Sequence, residues 1–139
     1  MNRAFVADSS VAIAWAVSSQ SSRATDGLLD EVAAGASLVV PVLWSFELAN
    51  ALIMLKRRKK LTQEDCTSAR RMLSGLAPII DDEGCTLALT KTSELAERHS
   101  LSGYDATYLE LALRKEIPLA TRDAALSKAA KQAGVQTLL

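Results

Sequence analysis

Aromatic side chains are scarce in this chain, with two each of Trp, Tyr and Phe among 139 residues. That argues against a platform for stacking unpaired bases. Histidine is scarcer still, at a single position, His99. The two cysteines, Cys66 and Cys85, form no CxxC pair, and one histidine cannot complete a zinc site with them. They read as reduced thiols of a cytoplasmic protein. Neither sign of charge is in excess, with 16 basic and 16 acidic residues. No global field therefore marks a nucleic-acid binder, although local basic patches stay open. No apolar run reaches the ~20 residues of a membrane span. Asp8, Ser9 and Ser10 interrupt any signal-peptide core. Repeats, linkers and low-complexity stretches are also lacking. The expectation is one domain over residues 1–139, with no membrane contact.

What the chain does have is a regular alternation of short apolar runs and helical patterns. Strands are expected at Ala4–Ala7, Ser37–Pro41, Ala77–Asp81, Ile117–Thr121 and Val135–Leu139. Between them, helices are expected at Ser9–Ser19, Ser22–Gly35, Leu43–Lys60, Thr62–Gly75, Thr86–Ser100, Ser102–Glu116 and Arg122–Gly134. Hydroxyl residues open several of these helices and glycines close others. Short apolar strands without a period of two suit a parallel sheet covered on both faces, so the expected class is α/β.

Four acids stand where this alternation places unusual demands on them. Asp8 follows the first strand and has no basic residue after it until Arg23. It can cap the next helix through its side chain. Asp105 lies three residues after Ser102, the spacing of a capping box. Asp123 falls in the first turn of a helix that Thr121 can cap, where an acid suits the helix dipole. Glu47 has no such role. Ten of the thirteen residues Leu43–Leu55 are apolar, so this helix should be largely buried, with Glu47 well inside it. Asn50, three residues on, lies about 60° round the helix and should point the same way. A buried glutamate needs a distant Lys or Arg, or it must neutralise.

Taken together, these acids suggest a second role. Asp8 and Asp123 follow strands, Glu47 lies one turn into the helix after the second strand, and Asp105 opens the helix before the fourth. All four should reach the carboxyl edge of the sheet, where open parallel sheets bind ligands. Two carboxylates ~5 Å apart repel by roughly 3 kcal/mol at an effective dielectric of ~20. A cluster of four calls for a cation, and oxygen donors alone select Mg²⁺ or Mn²⁺ over zinc. Magnesium on carboxylates and water serves phosphoryl chemistry.

At this point "VADSS" (6–10), "SFELAN" (45–50), "GYDATYLELA" (103–112) and "ATRDAAL" (120–126) together resemble the PIN-domain ribonucleases. Among these the chain is most similar to the VapC-type toxins of toxin–antitoxin pairs, over residues 3–137. The resemblance implies a three-layer α/β/α fold with a five-stranded parallel sheet of order 3-2-1-4-5. It implies Mg²⁺-dependent endonucleolytic cleavage of RNA, with Mn²⁺ as a substitute, leaving 5′-phosphate and 3′-hydroxyl ends. Asp8, Glu47, Asp105 and Asp123 match the family's acidic quartet, with Asp8, Asp105 and Asp123 as metal ligands. Thr121 matches the hydroxyl before the last acid, Ser9 the small residue beside the first, and Asn50 the polar partner of the glutamate. Some members carry a further acid soon after the last one; "RDAALSK" has none. A homodimer and a cognate antitoxin protein are the implied partners beside RNA.

Other readings remain at the level of sequence. The basic run Lys56, Arg57, Arg58, Lys59 and Lys60 could guide RNA phosphates or simply end a solvated helix. Trp15 and Trp44 suit a core or an interface, and His99 a helix end. A receiver-type phosphoacceptor domain would also carry an acidic rim. Receivers, however, have adjacent acids after the first strand and a lysine after the last, both missing here. A PIN fold kept only for interaction, without catalysis, is the remaining alternative.

Overall fold

The computed structural model describes residues 3–139. Its centre is β1 (Ala4–Ala7), in which Phe5, Val6 and Ala7 have no solvent exposure. Each large side chain so buried contributes about 1.5–3 kcal/mol. That outcome demands a neighbour on each side of the strand and a layer on each face. On one side β1 pairs in parallel with β2 (Ser37–Pro41), Val6 opposite Val39. On the other it pairs in parallel with β4 (Leu119–Ala120), Val6 opposite Leu119. The edge strand β3 (Ile79–Asp81) pairs in parallel with β2, giving the order β3-β2-β1-β4. On α1 (Ser9–Ala16) pack α2 (Arg23–Ala33), α3 (Leu43–Arg57) and α4 (Gln63–Ser74). A further run comprises α5 (Gly84–Leu87), α6 (Ser93–His99), α7 (Gly103–Lys115) and α8 (Ala124–Gln132). Of these, α7 packs on β1, β2, α6 and α8, so helices flank the parallel sheet. None of the helices among the described residues is long and apolar enough to cross a membrane.

The expected fifth strand is reduced to a single bridge. Segment 135–139 lies beside β4 as anticipated, but only Leu119 and Thr137 pair, in parallel. Leu119 donates to the Gln136 carbonyl (2.9 Å) and accepts from Leu138 N (3.1 Å). The reason lies in β4, which is two residues long because Pro118 has no N–H to extend the ladder. The sheet therefore has four strands, not five. The expected helix 86–100 is also broken. A π-turn at Ala88–Thr92 inserts a residue between α5 and α6, a distortion periodicity does not reveal.

A second correction concerns α3. Only Trp44, Leu48 and Leu52 are buried in it, a single stripe facing α1 and α4. Phe46 is 68% exposed, and Val42 and Ile53 are exposed too. The helix ends at Arg57, short of the expected Lys60, because Lys59 takes a left-handed conformation (φ 59°). Both tryptophans are buried; Trp15 Nε1 donates to the Thr25 carbonyl (2.7 Å). Both cysteines are free, Cys66 buried and Cys85 exposed. Thr62 caps α4 in a full capping box with Asp65.

One ionic cluster ties the far edge of the sheet to α7. Arg114 donates two bonds to Asp81 at the end of β3 (2.9 and 2.7 Å) and two to Glu110 (2.8 and 3.0 Å). Both carboxylates are buried, at 7% and 5% exposure, so one guanidinium compensates two acids. Asp81 also accepts from Gly84 N at 3.0 Å, and a Cβ on Gly84 would stand 3.0 Å from that same oxygen. Hydrogen bonding by Arg114 holds the Asp81 carboxyl below the usual carboxylate range. A depressed acid adds stability above its ordinary pKa and loses it as pH falls through the folded value. Arg114→Met should strand both acids and cost about 3 kcal/mol. Thermal melts against pH check this. The variant should melt far below the parent at neutral pH and close to it in strong acid.

Candidate active site

The carboxyl ends of β1 and β4 are stitched together at Asp8. Its backbone N–H donates to the Ala120 carbonyl (3.1 Å), continuing the β1–β4 ladder by one step. Its side chain, 5% exposed, caps α1 by accepting from Val11 N (3.3 Å). The same carboxylate accepts from Ser10 Oγ (2.5 Å) and from Thr121 Oγ1. Capping is thus a real part of the Asp8 role, but it engages one oxygen weakly. Thr121 is itself buried and accepts from Asp123 N (3.0 Å). It does not cap α8, contrary to the expectation from sequence. Asp123 does, accepting from Leu126 N (2.8 Å), because a residue two positions nearer the helix reaches its free N–H groups.

Glu47 comes from α3 and meets α7. The Tyr108 hydroxyl donates to its Oε1 (2.5 Å). No Lys, Arg or His forms an ion pair with Glu47, Asp8, Asp105 or Asp123 among the described residues. The distant-cation role considered for Glu47 is therefore not the one it has: its partner is a neutral phenol. Asp105 sits one turn before Tyr108 on α7. Its backbone N–H donates to Ser102 Oγ (3.0 Å), so Ser102 is the cap. Asn50 makes no hydrogen bond to Glu47 among the described residues. It is exposed and lines a cleft between α1 and α3, while Glu47 turns inward by half. Ser9 lies against both Glu47 and Tyr108.

The electrostatics bind these residues into one group. Burial raises the Asp8 carboxyl above its ordinary pKa, against the pull of its hydrogen bonds. Burial also raises Glu47, and the charges of Asp105 and Asp8 add to it. Asp105 is raised by burial and then by Asp123 and Asp8. The Tyr108 hydroxyl is pushed far up by burial and by Glu47, so it is a permanent donor. Glu47 and Asp105 thus feel the charges of neighbouring acids that come from separate segments of the chain.

Among the described residues, no three Asp, Glu, His or Cys side chains stand close enough to ligate an ion at once. Magnesium does not need that. It commonly takes one or two carboxylates and keeps several waters. An all-oxygen donor set with no compensating cation among the described residues fits a hard divalent cation. Two participants were not singled out from sequence, Tyr108 and Ser10. Tyr108 shares a helix face with Asp105 at i+3, which was the available signal. Ser10 had none beyond its place in "DSS".

A family profile described as "PIN domain" matches residues 5–132. Among solved structures, PAE2754 from Pyrobaculum aerophilum is similar at 22% identity and TM-score 0.69, over 99% of this chain and 92% of that one. FitAcB from Neisseria gonorrhoeae follows at 16% identity and TM-score 0.67, over 97% and 96%. VapBC2 from Rickettsia felis, solved with a DNA fragment from its promoter, matches at 14% identity and TM-score 0.67, over 96% of each chain. No match was found among curated protein sequences.

Raised acids have a definite consequence for stability. A group whose folded pKa exceeds its unfolded value binds more protons when folded. Its stabilisation is complete below the ordinary carboxylate range and is lost as pH rises through the folded value. Metal-free protein should therefore lose stability between the ordinary carboxylate pKa and neutrality. Mg²⁺ or Mn²⁺ should restore it by binding the ionised acids. Calorimetric melts across that window, with EDTA and then with Mn²⁺, check the sign. Asp8→Asn should flatten both dependences.

Proposed function

The chain belongs to the PIN-domain family, whose members are generally nucleases, and from that premise we propose that it is a metal-dependent endoribonuclease, the toxin of a toxin–antitoxin pair. The observation that carries this reading is Glu47: a half-buried carboxylate, tied to the Tyr108 hydroxyl, among three other acids with no cation. Asp8 and Asp105, with Asp123 directly or through water, would hold Mg²⁺, or Mn²⁺ in its place. When bound, the ion supplies a water activated for attack and charge to steady the phosphate.

The chain's own residues do the remaining work. Thr121 and Ser10 fix the Asp8 carboxylate in one orientation from opposite sides. Tyr108 clamps one oxygen of Glu47 and leaves the other to orient a water or take its proton. Burial makes that base stronger than a solvated glutamate. Because water is the nucleophile, the substrate 2′-hydroxyl plays no chemical part. A cognate antitoxin, the partner that the family resemblance implies, would cover the acidic rim with an Arg or Lys. The exposed stripe of Val42, Phe46 and Ile53 spans about 40° of α3 and would be covered in a homodimer. Light scattering at micromolar concentration should give a dimer for the parent and a monomer for Phe46→Glu.

Cleavage of a mixed RNA pool with and without Mg²⁺ tests the activity. Asp8→Asn, Glu47→Gln, Asp105→Asn and Asp123→Asn should each lower cleavage by about 100-fold or more. They should melt at or slightly above the parent's temperature without metal, since each relieves like-charge repulsion. Variants that cut like the parent would remove the site. A parent inactive with every metal would leave a PIN fold kept for interaction alone.

A further inference from the structure

Next to the acidic cluster lies a cleft of about 400 Å³ between α1 and α3, lined by Ser10, Gln20, Asn50, Met54, Arg58 and Arg122 among others. Its chemistry is opposite to that of the cluster. No carboxylate lines it, and its two guanidiniums have no ion-pair partner among the described residues. Arg122 is held in place from behind. Its backbone N–H donates to Ser10 Oγ (3.0 Å), and Nη1 donates to the Ser10 carbonyl and to Gln20 Oε1 (both 3.2 Å). Nε and Nη2 make no hydrogen bond among the described residues, so donors remain for a ligand. Ser10 Oγ in turn donates to Asp8, so one serine joins the cleft to the cluster. Arg58 enters from the end of α3, whereas Lys56 of the same basic run turns away to Gln63. Ile13, Ala51, Met54 and Leu55 add apolar surface.

Two uncompensated guanidiniums, amides and an apolar wall suit one nucleotide of a polyanionic strand. We propose that this cleft binds the nucleotide adjoining the scissile phosphate, with Arg122 and Arg58 on its phosphate and Met54 and Ile13 against its sugar or base. The inference rests on the nuclease reading and adds what that reading lacks, a reason for RNA to approach an acidic rim. Arg122 is the braced contact, set one residue before Asp123 and two bonds from Asp8. Arg58 closes the far side. The strand is thereby directed along α1 and α3 rather than across β3.

The test uses a fluorescent single-stranded RNA of mixed sequence, with anisotropy in EDTA and cleavage in Mn²⁺. Arg58→Gln combined with Arg122→Gln should weaken binding about tenfold. It should flatten the slope of log K against log salt by about 0.7 for each arginine. In cleavage, KM should rise while kcat and the Mn²⁺ requirement hold. Lys131→Gln, on the last turn of α8, controls for lost charge and should leave both readouts unchanged. A double variant with the parent's affinity and salt slope overturns the cleft. If the parent binds RNA through these arginines but cuts nothing, the cleft stands and the nuclease reading falls. If the parent neither binds nor cuts, both fall.

Discussion

Uncompensated negative charge at the carboxyl edge of a parallel sheet is the constraint around which this protein is built. Asp8, Glu47, Asp105 and Asp123 gain hydrogen bonds from hydroxyls and backbone N–H groups, and no ion pair from a cation among the described residues. The same chain shows the alternative nearby. Where Asp81 and Glu110 are buried for structure, Arg114 holds both with four hydrogen bonds. One fold therefore compensates its structural acids internally and leaves the others for something external. Burial raises Asp8, Glu47 and Asp105, and neighbouring acids add to the rise of Glu47 and Asp105, whereas Arg114 lowers Asp81.

The secondary structure makes that arrangement attainable. Parallel strands end at one edge, and the helices that follow begin there. Asp8 and Asp123 are consequently N-caps as well as members of the cluster. Helix N-termini carry partial positive charge, which lowers the cost of gathering carboxylates. Thr121 links the two caps, accepting from Asp123 N and donating to Asp8. The basic side chains stand apart from these acids, with Arg122 and Arg58 across Ser10 in the neighbouring cleft.

Much of this was legible in the sequence, and the failures have physical causes. β1, β2 and their helices follow from short apolar runs bounded by Gly35, Pro41 and capping residues, and they agree with the structure within a few residues. The acids were legible because a carboxylate after a core strand is costly without a role. The fifth strand was misread because apolar content does not reveal how few hydrogen bonds a two-residue β4 can offer. The burial of α3 was overestimated because apolar residues all round a helix fit a core or an unpartnered face equally well. Asn50, grouped with Glu47 by angle, is exposed on the cleft while Glu47 is half-buried, a difference that a rotation of about 60° round the helix allows. Tyr108 escaped because its hydroxyl crosses from α7 to α3, a contact 61 residues apart in sequence.

The most direct test of the central claim is a crystal structure of the protein soaked in Mn²⁺, with anomalous scattering used to locate the ion. The account predicts one peak at the carboxyl edge of β1, within ligand distance of Asp8 and at least one of Asp105 and Asp123, completed by waters. A peak elsewhere, or no peak at saturating Mn²⁺, would contradict it.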